Sequence, residues 1–168
     1  MEPMNSNTEQ RVWSRVMNAQ SACARVAQRD AQDGARSAAV LDEDALMELY
    51  TGQMQAACTY RHLAAMTRGR ARQTLTQLAE AKRCHAKRTE AMYYVRTGKK
   101  PCPDRPKSPC VSCVNEALRQ AYQEELCTAE LYRRYARNAD DFACVLEQMA
   151  TESCRHAQLL LSVLQECL

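Results

Sequence analysis

Cys110-Val111-Ser112-Cys113 is a pair of thiols at Cys-x-x-Cys spacing, and Cys102 stands eight residues upstream. Thiols grouped in this way suit reversible disulfide chemistry or zinc binding. A structural zinc site takes four ligands, and this segment offers three thiols and no histidine. The plain reading is a loop that carries cysteines; redox use of Cys102, Cys110 and Cys113 comes next and zinc last. A second pattern holds His85 and His156, each followed by alanine and 71 residues apart. It belongs to a longer repeat. Tyr50, Gln53, Ala57, Tyr60, Arg61 and Ala64 stand 72 residues before Tyr122, Glu125, Ala129, Tyr132, Arg133 and Ala136. Leu75, Leu78 and Ala79 stand 71 residues before Leu146, Met149 and Ala150. Tyr, Tyr and His matched in order argue for two copies of one unit.

The elements that must position these residues are helices. Four glycines and one phenylalanine in 168 residues leave little material for turns and strands. Ala, Gln, Glu, Arg, Leu and Met, which favour helix, are abundant. A barrel, a sandwich and a Gly-rich nucleotide fold are excluded on these grounds. Residues 1–40 read as an N-terminal extension with a short helix around Val12, Trp13, Val16 and Met17. The body, 41–168, opens at Asp42-Glu43-Asp44, acidic residues suited to the positive end of a helix. Leu46, Leu49, Tyr50, Met54, Ala57, Tyr60 and Ala64 then recur at helical spacing. A second helix runs from about Arg70 to Gly98, with Leu75, Leu78, Ala79, His85, Met92 and Val95 on one stripe. A third runs from about Cys113 to Ala136, and a fourth from about Asp141 to Glu166.

Residues 99–112 hold four of the five prolines and cannot be helix interior. About 15 extended residues reach about 50 Å, more than the roughly 37 Å of a 25-residue helix. The segment is long enough to cross the whole bundle, so the expected fold is all-α: two duplicated helical hairpins joined by a Pro-rich crossover, the connectivity of ferritin-like four-helix bundles.

At this point the chain resembles rubrerythrin-like members of the ferritin-like superfamily, over residues 43–166. The resemblance rests on Gln53 or Glu125 seven residues before Tyr60 or Tyr132, with His-Ala about 25 residues beyond. Cys84-His85-Ala86-Lys87-Arg88, Arg155-His156-Ala157-Gln158-Leu159 and Tyr93-Tyr94-Val95-Arg96-Thr97-Gly98 look like that family's helix ends. Trp13-Ser14-Arg15-Val16 resembles the N-terminal extension of some bacterial members. The resemblance implies a di-iron centre held by a Glu from the first and third helices and a Glu-x-x-His from the second and fourth.

Carried over position by position, Glu125, His85 and His156 match, whereas Gln53, Lys82 and Ser153 stand where carboxylates belong. An ammonium beside a dication is strongly unfavourable. At an effective dielectric near 20, two unit charges about 4 Å apart interact by about 4 kcal/mol, and a doubly charged ion doubles that. The expected centre is therefore degenerate and holds no cofactor. Lys82 then fills the metal's space and pairs with Glu125, with Gln53 and Ser153 as neutral replacements. The competing expectation is that Lys82 snorkels outward. Glu152, four residues before His156, offers a further alternative: a single iron or zinc on Glu125, His85, His156 and Glu152.

Functionally, a non-catalytic binding or assembly bundle is expected first. The alternatives are a metal-dependent oxidoreductase of peroxidase or oxidase type and a thiol-based redox protein. The remaining features are quieter. Net charge is +3, from 23 basic and 20 acidic residues, which does not call for nucleic acid. Arg68, Arg70 and Arg72 read as a solvated face. No apolar run suits a membrane span and no signal-peptide core follows Met1, so a cytoplasmic location is expected. Homodimerisation through bundle faces is compatible with the resemblance. Cys58, Cys84, Cys127, Cys144 and Cys154 fall within the helices and read as core or half-buried thiols.

Overall fold

A computed structural model of the chain describes residues 40–139 and 141–166. The expected N-terminal helix and its Trp13 lie outside the described residues. Within them the fold is all-helical: α1 (Glu43–Met66), α2 (Gly69–Thr97), α3 (Val114–Ala136) and α4 (Ala143–Glu166), with no strand. The helix ends follow local chemistry. Asp42 caps α1, its Oδ1 accepting the Ala45 amide at 2.9 Å, with Glu43 and Asp44 in the first turn. Thr67 closes α1 in extended backbone. Gly98 ends α2 at φ 70°, a left-handed conformation that a side chain disfavours. Residues 101–113 are not helical, and α4 begins after the turn at 137–142.

α1 packs along α2 and α3 along α4, while α2 also touches α4, an arrangement compatible with a four-helix bundle. Two apolar cores form, each with members from all four helices. One gathers Leu46, Leu49, Met92, Tyr93, Tyr132, Leu146 and Met149. The other gathers Tyr60, Leu63, Leu75, Leu78, Leu118, Leu160 and Val163. The buried polar residues Gln53, Lys82, His85, Glu125, Ser153 and His156 fall between these groups along each helix. The polar centre is thus shut in from both ends by hydrocarbon, which removes water and strengthens every charge interaction inside it.

Several expected core positions lie elsewhere. Val95 is 71 % exposed, because it projects beyond Met92 and Tyr93, the last layer that α2 contributes to the core. Tyr50 and Met54 are only half-buried. The helical cysteines are the larger correction: Cys84, Cys127 and Cys144 are exposed, and Cys58 and Cys154 are half-buried. One residue along a helix turns the side chain by about 100°. Cys84 and Cys154 adjoin the buried His85 and Ser153 and are rotated off the inward face.

Candidate functional site

Lys82 on α2 and Glu125 on α3 meet at the centre of the polar layer. Lys82 Nζ donates to Glu125 Oε2 at 2.6 Å, and the two side chains are 2 % and 1 % exposed. The snorkelling alternative does not describe this side chain. Tyr60 on α1 donates its hydroxyl to the other carboxylate oxygen, Glu125 Oε1, at 2.6 Å. One carboxylate therefore ties α1, α2 and α3 together. Burial alone would raise the Glu125 carboxyl; His156, Lys82 and Tyr60 outweigh it and hold it at about 2. Of these, Lys82 and Tyr60 have hydrogen-bond geometry, whereas His156 Nδ1 lies 3.7 Å from Oε2 and acts at longer range. Burial pulls the Lys82 ammonium down, and Glu125 opposes that loss. The hydroxyl of Tyr60 is pushed well up by burial and by Glu125, so it stays a donor.

A second group sits beside the first. Glu152 on α4 accepts from His85 Nε2 at 2.7 Å and from Arg88 at 2.6 Å, both through Oε2. Its other oxygen accepts from Gln148 at 3.0 Å. With Nε2 facing a carboxylate, His85 carries its proton there and leaves Nδ1 as a lone pair. Burial first, then the charge of Lys82, lowers His85 to about 4, so the ring is neutral at physiological pH. The His85 and His156 rings lie 5.4 Å apart, and Tyr132 meets His85 edge-on at 6.0 Å.

Gln53 and Ser153 are buried as expected for the polar cluster, yet Gln53 Oε1 and Ser153 Oγ make no hydrogen bond among the described residues. They line the centre without replacing the bonds that carboxylates would make. The four candidate metal ligands come together as two separate pairs: Glu125 with His156, and Glu152 with His85. Among the described residues, no group of three or more His, Cys, Asp or Glu is gathered as a metal ion requires. The residues present do not fit a di-iron centre, since the Glu125 oxygen nearest the second-helix position is taken by an ammonium. Cys102, Cys110 and Cys113 are all exposed thiols on the connection between α2 and α3, apart from this centre. His62 is half-buried on α1.

Two features escaped the sequence reading. Arg88 anchors Glu152, and its place three residues after His85, on the same helix face, was the available signal. The other is a cavity of about 630 Å³ bordered by α1, α3 and the connection, reaching Gln53, Tyr60, Lys82 and Glu125. Gly52, inside α1, borders it, and a Cβ built there meets nothing within 4 Å. Gly inside a helix costs about 0.5–1 kcal/mol relative to Ala, so its presence is the legible trace. The connection is held against α1 by paired bonds between the Gln55 amide and the Lys107 backbone, at 2.8 and 2.9 Å.

Removing the tyrosine hydroxyl isolates its contribution. Tyr60→Phe leaves Glu125 Oε1 buried without its donor and is expected to lower stability by about 1–3 kcal/mol, read as a shift in the urea midpoint. A change within about 0.3 kcal/mol would mean that Oε1 is satisfied in another way.

No family model, no curated protein and no solved structure matches the chain. No helix among the described residues is long and apolar enough to cross a membrane.

Proposed function

We propose that this chain is a ferritin-like, rubrerythrin-related bundle in which the Lys82–Glu125 ion pair stands where the di-iron centre would be. In this reading it works as a non-catalytic binding or assembly module. The observation that carries it is the 2.6 Å contact between two buried, oppositely charged side chains at matching ligand positions. An ammonium bonded to the carboxylate supplies the positive charge that a metal would otherwise bring.

The chain path lends support. Leu46 and Leu49 near the start of α1 share a core with residues near the end of α2, the end of α3 and the start of α4. Leu63 near the end of α1 shares the other core with residues near the start of α2, the start of α3 and the end of α4. That membership favours parallel α2 and α3, joined by a connection running the length of the bundle, as in ferritin-like folds. The repeated Tyr and His positions are then equivalent sites on two related hairpins.

Metal analysis tests the reading directly. Full-length protein expressed with added iron and zinc, and purified without chelator, is expected to carry less than about a tenth of an equivalent of either. Stoichiometric metal that disappears in Glu125→Gln would overturn it.

A further inference from the structure

The cavity beside the ion pair has features of a site rather than of a packing fault. At about 630 Å³ it falls within the range of small-molecule pockets. Its walls include Leu49, Ala56 and Ala121, and its inner end is polar. There Gln53, 4 % exposed, presents an Oε1 with no hydrogen-bond partner among the described residues. A buried acceptor without a partner is costly, and a donor from a ligand would satisfy it. Gly52, the neighbouring residue, keeps side-chain volume out of the space although nothing packs where its Cβ would lie.

Charge narrows the ligand class. The charged side chains that line the cavity are Glu48, Glu124, Glu125 and Lys82. The ammonium of Lys82 is already bonded to Glu125. Glu48 and Glu124 therefore leave an acidic excess. An anion is disfavoured, and a molecule with N–H donors, positive charge and an apolar body satisfies every part of the lining.

We propose that this cavity binds a small amphipathic organic amine, an N–H of which donates to Gln53 Oε1. The proposal deepens the reading of the chain as a binding bundle and rests on it. Binding to full-length protein is measured by calorimetry with phenethylamine, phenylacetate and phenethyl alcohol, which share an aromatic body and differ in charge. Saturable binding of the amine is expected, at least about tenfold tighter than that of the acid or the alcohol. Gly52→Leu, which fills the space, and Gln53→Leu, which removes the acceptor, are each expected to weaken it about tenfold or more.

Gly52→Leu also keeps the test clear of misfolding, because it replaces a poor helix former with a good one and meets open space. Cys110 borders the cavity and supplies an independent readout: bound amine should slow its alkylation relative to Cys102. Equal binding of phenylacetate, no binding of the amine, or undiminished binding by folded Gly52→Leu would overturn the proposal. The two readings fail separately. Retained iron overturns the metal-free reading whatever the amine does, and a metal-free protein that ignores the amine overturns only the ligand assignment.

Discussion

Lys82→Met is expected to destabilise the fold by about 3–5 kcal/mol, because it leaves a buried carboxylate without its counter-charge. The wild-type pair gains its ion–ion contact at 2.6 Å, and Tyr60 fills the second oxygen of Glu125. With the ammonium gone, one hydroxyl remains to solvate a charge that has lost almost all its water. Native domains hold only about 5–15 kcal/mol in total, so the loss is large. Urea unfolding at neutral pH, followed by circular dichroism, measures it.

Lys82→Glu is expected to be worse, since it sets a second carboxylate beside the first. The double change Lys82→Met with Glu125→Leu should recover most of the loss, as hydrophobic replacements of whole buried pairs commonly do. A single Lys82→Met within about 1 kcal/mol of wild type would mean that the pair contributes little and that Glu125 is neutral in the native state.

The second large effect is on acid stability. His85 is lowered from 6.5 to about 4 by burial and by Lys82, with His156 acting in the same sense and Glu152 opposing. Arg88 holds Glu152 in place, and Tyr132 closes the remaining side. Between pH 6.5 and 4 the unfolded chain binds a proton at this histidine that the native state does not. Stability therefore falls as pH falls through that window. At about 1.4 kcal/mol per pH unit the fall approaches about 3 kcal/mol.

Glu125 continues the trend. Its carboxyl is held at about 2 against an ordinary 4.5, so its contribution is present above pH 4.5 and is lost as pH falls toward 2. The urea midpoint should decline steadily from pH 6.5 downward. In His85→Gln the upper part of that slope should flatten, while the part below pH 4.5 remains. An unchanged slope between pH 6.5 and 4 in that variant would assign the upper titration to another group.

Helix identity was legible before any coordinates. Asp42 with two acids behind it, Gly98 after a long periodic run, and four prolines between 101 and 109 act within a few residues of themselves. Capping, φ preference and missing amide donors are local effects. The core leucines were legible for a related reason: helical spacing fixes which side chains share a face. Cys84 shows where that logic thins out. A small thiol fits either a core or a surface, and only its rotation relative to buried His85 decides that it is exposed.

The centre divides along the same line. Residue types and register alone put Lys82, His85, Gln53, Glu125, Ser153 and His156 at corresponding positions of two repeated units. The choice of partners belonged to the tertiary structure. Glu125 takes Lys82 and Tyr60, Glu152 turns to His85 and Arg88, and Gln53 Oε1 and Ser153 Oγ are left without a bond. A hydrogen bond is settled within a few tenths of an ångström, and residues 43 to 67 positions apart in the chain reach that precision only when the helices have packed. The cavity beside Gly52 is decided in the same way, because a space between helices has no sequence of its own.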